Sequence, residues 1–193
     1  MHPIEAESYR RLRALVDTSD LPPLSRAVVE RVVHASGDLG YVDDLVLDEA
    51  DLRTAVDALA ADAPVVVDVA MVATGITSRD TVCRLADPRV ADLAQRTGAT
   101  RSAAAIRLAA DEVGPGAVYV VGCAPTALRA LCGLPSAAPT LVIGMPVGFV
   151  DAVESKAALR ASGLPAVTNR GRTGGSAVAA AACNALLYAI GGP

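Results

Sequence analysis

Ala117-Val118-Tyr119-Val120-Val121 runs straight into Gly122-Cys123-Ala124-Pro125-Thr126-Ala127-Leu128, and this stretch decides the fold. Five apolar residues in a row, with no polar alternation, describe a strand covered on both faces, as in parallel sheets. Gly122 allows a close backbone turn, and Pro125 suits the first turn of a helix. Three further runs read as strands of the same kind: Pro64-Val65-Val66-Val67-Asp68-Val69, Thr140-Leu141-Val142-Ile143 and Pro165-Ala166-Val167-Thr168. Helical patterns lie at 4–16, 25–34, 49–61, 87–96, 101–111, 126–133, 151–162 and 175–189. The alternation predicts an α/β fold: a single-domain sandwich over residues 1–193, with a mostly parallel sheet flanked by helices and right-handed crossovers. In open sheets of this type ligands gather at the carboxyl ends of strands, so the turns after each strand are the first places to search.

Composition removes several classes of function. The net charge is −4, there is no basic cluster, and 3% of residues are aromatic, so neither the electrostatic footprint nor the stacking platform of a nucleic-acid binder is present. No apolar run approaches the roughly 20 residues that span a bilayer. The start, Met1-His2-Pro3-Ile4-Glu5, lacks the basic and apolar regions of a signal peptide, so a cytoplasmic protein with no membrane partner is expected. Cys83, Cys123, Cys132 and Cys183 form no CxxC pair and have no neighbouring His in sequence, so no metal site and no disulfide framework is expected.

Acid–base chemistry points to His34, one of two histidines. It ends the run Ser25-Arg26-Ala27-Val28-Val29-Glu30-Arg31-Val32-Val33-His34, whose valines form one apolar stripe, and Gly37 is a natural stop just beyond. A helix C-terminus favours the imidazolium, so this position suits a general acid, although a plain C-cap accounts for it equally well on local grounds. Arg31 lies three residues earlier, on the same helix face.

Three turns could hold anions. Gly122 to Leu128 opens a helix whose first amides could receive a carboxylate or phosphate, or simply make an ordinary strand-to-helix turn. Asn169-Arg170-Gly171-Arg172-Thr173-Gly174-Gly175-Ser176 is a glycine-rich basic loop that meets neither the P-loop nor the dinucleotide spacing, leaving a generic anion site. Thr100-Arg101-Ser102 opens another helix in the same way. Between these, Gly144-Met145-Pro146-Val147-Gly148-Phe149-Val150-Asp151-Ala152-Val153-Glu154-Ser155-Lys156 carries the only Phe and the only Lys of the chain, the other sixteen basic residues being Arg. Glu154 and Lys156 do not share a helix face, so one of them is expected to face the interior or a ligand. One general acid and several anion-binding helix starts together suggest a polycarboxylate ligand rather than a nucleotide.

Six segments, in order, resemble the precorrin-8X methylmutase family: His2-Pro3-Ile4-Glu5 with Ser8-Tyr9, Arg31 to Asp38, Ala124 to Leu128, Gly144 to Val150, Glu154-Ser155-Lys156, and Gly174-Gly175-Ser176. The resemblance implies an isomerase of cobalamin biosynthesis that moves a methyl group from C11 to C12 of a tetrapyrrole, metal-free or cobalt-bearing. It implies His34 as the proton donor and acceptor and Ser8 and Arg31 as substrate contacts. Arg101, Ser102, Thr126, Lys156, Arg172, Gly174, Gly175 and Ser176 would hold the acidic side chains. No cofactor and a homodimer are implied as well. Cys123 stands where the family usually has Asn, Thr173 where Lys is common, and Asp151 where a small or neutral residue is usual. Two other readings compete: a non-catalytic corrinoid-binding or carrier protein, and a nucleotide-binding α/β protein favoured by the glycine-rich loop alone.

Overall fold

The computed structural model describes residues 2–190. Two helices come first, α1 (Pro3–Leu15) and α2 (Pro23–Ser36), and a short α3 (Tyr41–Asp44) leads into β1 (Leu45–Val46). Then follow α4 (Glu49–Ala60), β2 (Val65–Val67), α5 (Ala70–Gly75), β3 (Thr81–Val82), α6 (Arg89–Thr97) and α7 (Arg101–Val113). The last part contains β4 (Val118–Val121), α8 (Pro125–Cys132), β5 (Leu141–Gly144), α9 (Ala152–Ala161), β6 (Ala166–Asn169) and α10 (Ser176–Ala189). The six strands form one sheet in the order β1-β6-β5-β4-β2-β3. All neighbours are parallel except β1, which runs antiparallel to β6 with Leu45 opposite Asn169.

The apolar strands divide their side chains between two cores, as the period of two requires. Val65, Val67, Val118, Val120, Leu141, Ile143 and Val167 pack with α2, α4 and α10 on one face. Val66, Tyr119, Val121 and Val142 pack with α7, α8 and α9 on the other. All four expected strands are present. The two short edge strands carry only two residues each, too few for any periodicity to show. The first expected strand, 64–69, ends at Val67 because Asp68 turns to accept the amides of Gly122, Cys123 and Ala124 at 3.1, 2.8 and 2.8 Å.

The alanine-rich α10 is buried along nearly its whole length against the sheet and α2. Small side chains let it approach closely. A Cβ placed on Gly122 would come within 2.8 Å of the Ser176 Cα and 3.0 Å of the Ala179 Cβ. Replacing Gly122→Ala therefore drives the end of β4 against the backbone of α10. Urea unfolding is expected to show a loss of about 1–3 kcal/mol, the usual cost of overpacking; parental stability would mean that α10 sits farther from the sheet than described.

Candidate active site

The site around His34 is built by α1 and α2. On α1, Glu5, Ser8, Tyr9 and Leu12 recur at helical spacing and form the stripe that meets α2. On α2, His34 lies in the last turn, two residues before the helix end at Ser36, and Gly37 closes the helix in the left-handed region at φ 69° while its amide donates to the Val33 carbonyl. The imidazole thus lies close to the negative end of the helix dipole, as the sequence suggested. It does more than cap. Its Nδ1 is 3.0 Å from Ser8 Oγ, and its ring stacks on Tyr9 with centroids 4.9 Å apart and planes 12° from parallel. Nε2 makes no hydrogen bond among the described residues. The other histidine, His2, caps α1, its Nδ1 accepting from the Ile4 amide at 3.3 Å.

Arg31, one turn before His34, is already engaged. Its Nη1 donates to Glu5 Oε1 at 2.7 Å and to the Tyr9 hydroxyl at 3.1 Å, and the guanidinium lies 5.0 Å over the Tyr188 ring. The hydrogen bond from Arg31 holds the Glu5 carboxyl below the usual carboxylate range. Farther along, burial works to raise the Glu30 carboxyl, but hydrogen bonds from Arg13, Thr18 and Arg26 outweigh it and bring it down to about 2. These residues border a cleft of about 920 Å³ between α1, α2 and the end of α10, with Glu5, Tyr9, Arg13, Arg26, Arg31 and Tyr188 among its walls. His34 lies next to it, on the other side of the Tyr9 contact.

The turns at the carboxyl ends of the strands are engaged in part by the protein itself, and the one expectation this overturns is that of Lys156. The amides of Gly122, Cys123 and Ala124, just before α8, donate to the Asp68 carboxylate. Burial pushes the Asp68 carboxyl up, while the same three amides work against that rise. Thr126 shares a 2.7 Å hydrogen bond with Thr100, which caps α7 through the Ala103 amide, and Arg101 donates to the Leu85 carbonyl at 3.2 Å. Ser102 is half-buried in the first turn of α7.

The glycine-rich loop is held in part by the protein itself. Asp44 accepts the amides of Arg170 and Gly171, at 3.0 and 2.9 Å, and the Arg170 guanidinium donates to the Asp43 carbonyl. Lys156, expected to hold a substrate carboxylate, is fully buried instead. Its ammonium donates to Asn169 Oδ1 at 2.9 Å, to the Thr173 carbonyl at 2.8 Å and to the Gly171 carbonyl, which uses all three of its protons. Glu154, its partner in the sequence argument, is the exposed one. Gly174, at φ 148°, must be glycine because a Cβ there would lie 2.3 Å from the Met145 carbonyl oxygen, and the Gly175 amide donates to that same oxygen at 2.9 Å. Ser176 is buried at the start of α10. Arg172 is exposed and lies 5.5 Å over the Phe149 ring. Among the described residues no group of three or more metal-ligating side chains occurs, and no helix is long and apolar enough to cross a membrane.

The family model for precorrin-8X methylmutase matches residues 3–189. The cobalt-precorrin-8 methylmutase of Salmonella typhimurium is 39% identical over 197 residues, covering 96% of this chain and 93% of that protein. The precorrin-8X methylmutase of a Sinorhizobium species is 40% identical, covering 95% and 92%. Among solved structures, the precorrin-8X methylmutase of Thermus thermophilus superposes with a TM-score of 0.88 at 34% identity, covering 98% of each chain. All of these are named for catalysis, which favours an enzyme over a carrier.

Burial pulls the Lys156 ammonium down to about 8, with Asp44 opposing the shift and Arg160 adding to it. The unfolded chain keeps this proton up to the ordinary lysine value of about 10.4. Between those values the unfolded state binds more protons, so the contribution of this site to stability rises with pH; below them the cost of burying the charge is present in full. The urea midpoint of the parent, measured relative to Lys156→Met, is expected to rise between pH 7 and pH 10. A constant or falling difference would contradict it.

Proposed function

The chain belongs to the precorrin-8X methylmutase family, and from that membership we propose how its residues carry out the reaction. The activity is that of an isomerase of cobalamin biosynthesis: a methyl group of precorrin-8X moves from C11 to C12, giving hydrogenobyrinic acid, or cobyrinic acid where the macrocycle carries cobalt. His34 is the general acid and base. The observation that carries this assignment is its geometry: Nδ1 is held by Ser8, one ring face is covered by Tyr9, and Nε2 has no hydrogen-bond partner among the described residues.

In the proposed cycle the imidazolium donates its Nε2 proton to the conjugated macrocycle, which becomes electron-poor. The methyl group then shifts in a [1,5] sigmatropic step, and the proton returns to Nε2 as the product forms. No proton is gained or lost overall. The Ser8 oxygen accepts from Nδ1–H while His34 is charged. The adjoining cleft of about 920 Å³ falls in the upper part of the range typical of small-molecule and cofactor sites, which supports it as the place of a tetrapyrrole. Arg31 stands at its boundary, within reach of an acidic side chain, and Arg172 at the sheet edge has no carboxylate partner within the protein among the described residues.

We also infer that the chain works as a homodimer. Val147, Phe149 and Val150, interrupted only by Gly148, are exposed apolar residues of one turn in which Phe149 is 90% exposed, and Val153 follows in the next helix. A patch of this kind at the surface is characteristic of a protein–protein contact. Size-exclusion chromatography with light scattering should give twice the monomer mass, falling toward one mass on Phe149→Glu.

Mixing the purified protein with metal-free and cobalt-bearing substrate separately should change the visible spectrum and yield the C12-methylated product at unchanged mass in at least one case. His34→Ala is expected to lower kcat by about 10²–10⁴, the range of general acid catalysis, while still binding product. Retained turnover would remove His34 from the mechanism.

A further inference from the structure

Tyr9 covers one face of His34 but takes no part in the proton transfer described above, and it joins the charged groups of this site to His34. The residue is 8% exposed and its ring stacks on the imidazole, with the Arg13 guanidinium 5.8 Å over the same ring. Its hydroxyl accepts from Arg31 Nη1 at 3.1 Å, and that same nitrogen donates to Glu5 at 2.7 Å. A connected chain therefore runs Glu5, Arg31, Tyr9, His34, with every member on α1 or α2.

Rotation about its Cβ–Cγ bond is the motion left to the His34 ring, and a single hydrogen bond between Nδ1 and a serine hydroxyl that can itself rotate restrains it only loosely. The stacked Tyr9 ring adds a contact on the face of the imidazole that narrows this rotation. The ring plane sets the direction of Nε2, because the donor proton lies in it. We propose that Tyr9 is a positioning residue for proton transfer: its ring holds the plane of His34 so that Nε2 points at the macrocycle, and the Arg31–Glu5 pair anchors Tyr9 in turn. Proton transfer requires approach within about 2.6–3.2 Å, so a tilt of the ring moves the proton out of range. The inference rests on His34 being the acid and base.

The stack orders the reacting group, so its loss is read chiefly in kcat, with a smaller change in KM from the part Tyr9 plays as a wall of the cleft. Tyr9→Leu is expected to lower kcat by about ten- to a hundredfold, the scale of an ångström-sized misplacement, and to change KM by less than kcat. Tyr9→Phe keeps the ring on the imidazole and should keep most of the parental kcat, well above that of Tyr9→Leu. A second readout is independent of turnover. The chain has only two histidines, so the proton resonances of the two imidazoles are readily assigned. The ring current of Tyr9 should displace the His34 signals upfield in the parent and in Tyr9→Phe, and the displacement should vanish in Tyr9→Leu.

Parental kcat in Tyr9→Leu, a rise in KM with kcat unchanged, or His34 signals identical in Tyr9→Leu and the parent would each overturn the proposal. Should Tyr9→Leu fail to fold, Tyr9→Met takes its place: lowered kcat with the His34 displacement lost supports the proposal, and parental kcat overturns it. The parent and His34→Ala serve as controls. An inactive parent, or an active His34→Ala, would refute the functional reading and this inference with it; an active parent with an inactive His34→Ala and a fully active Tyr9→Leu would refute the role of Tyr9 alone.

Discussion

The Lys156 side chain, enclosed beneath the glycine-rich loop, is the contact that fixes where that loop lies, although burying its charge costs stability. A buried charge is tolerated only where its hydrogen bonds are satisfied, and the acceptors here come from three points of one loop: Asn169, Gly171 and Thr173. Held in this way, and by Asp44 from the opposite side, the loop delivers Ser176 as the first residue of α10 at one place against Gly122. From there α10 lies along both the sheet and α2, and α2 carries Arg31 and His34. An interaction remote from the imidazole thereby sets the surface on which the imidazole's helix rests.

The same economy moves the candidate chemistry away from its customary place. Open parallel sheets offer ligands the amides and loops at their carboxyl ends. Here several of those donors are used within the protein: Asp68 takes the amides before α8, Asp44 and Lys156 hold the loop after β6, and Thr100 pairs with Thr126. Leaving such amides unpaired in a part-buried turn would cost on the order of 1–3 kcal/mol each, which a small domain cannot absorb many times over. Reactive groups with a free valence instead lie on α1 and α2, where a serine, a tyrosine and a histidine converge without disturbing the sheet.

Much of the fold was legible because parallel strands announce themselves: Val118 to Val121 and Leu141 to Ile143 are continuous apolar runs that fit nothing else. The edge strands were not, since Leu45–Val46 and Thr81–Val82 are defined by hydrogen bonds to neighbours distant in sequence. At the site, His34 stood out through scarcity and through Gly37. Its partners did not, because Ser8 and Tyr9 lie 26 and 25 positions away and their pairing with His34 depends on how α1 crosses α2, which periodicity leaves open; Ser8 entered through the family resemblance. The stripe Glu5, Ser8, Tyr9, Leu12 was the available signal. Lys156 illustrates the reverse error: its rarity marked it correctly as special, but rarity does not distinguish a residue that meets a ligand from one sealed in the interior.

This distinction between side chain and backbone also explains how the chain accommodates its departures from the family pattern. At position 123 the structure uses the amide N–H, which donates to Asp68 whatever the side chain, and the Cys123 thiol itself is exposed. At position 173 it is the carbonyl that receives Lys156, so Thr173 satisfies the loop as any residue could, while its hydroxyl adds a 3.3 Å contact from Asn169. Asp151 is different, because its carboxylate is used: it receives Arg129 from α8 at 2.5–2.8 Å and so ties the start of α9 to its neighbour. Positions whose work is done by the peptide group are free to vary in side chain, whereas a new charge persists only where a counter-charge lies within reach.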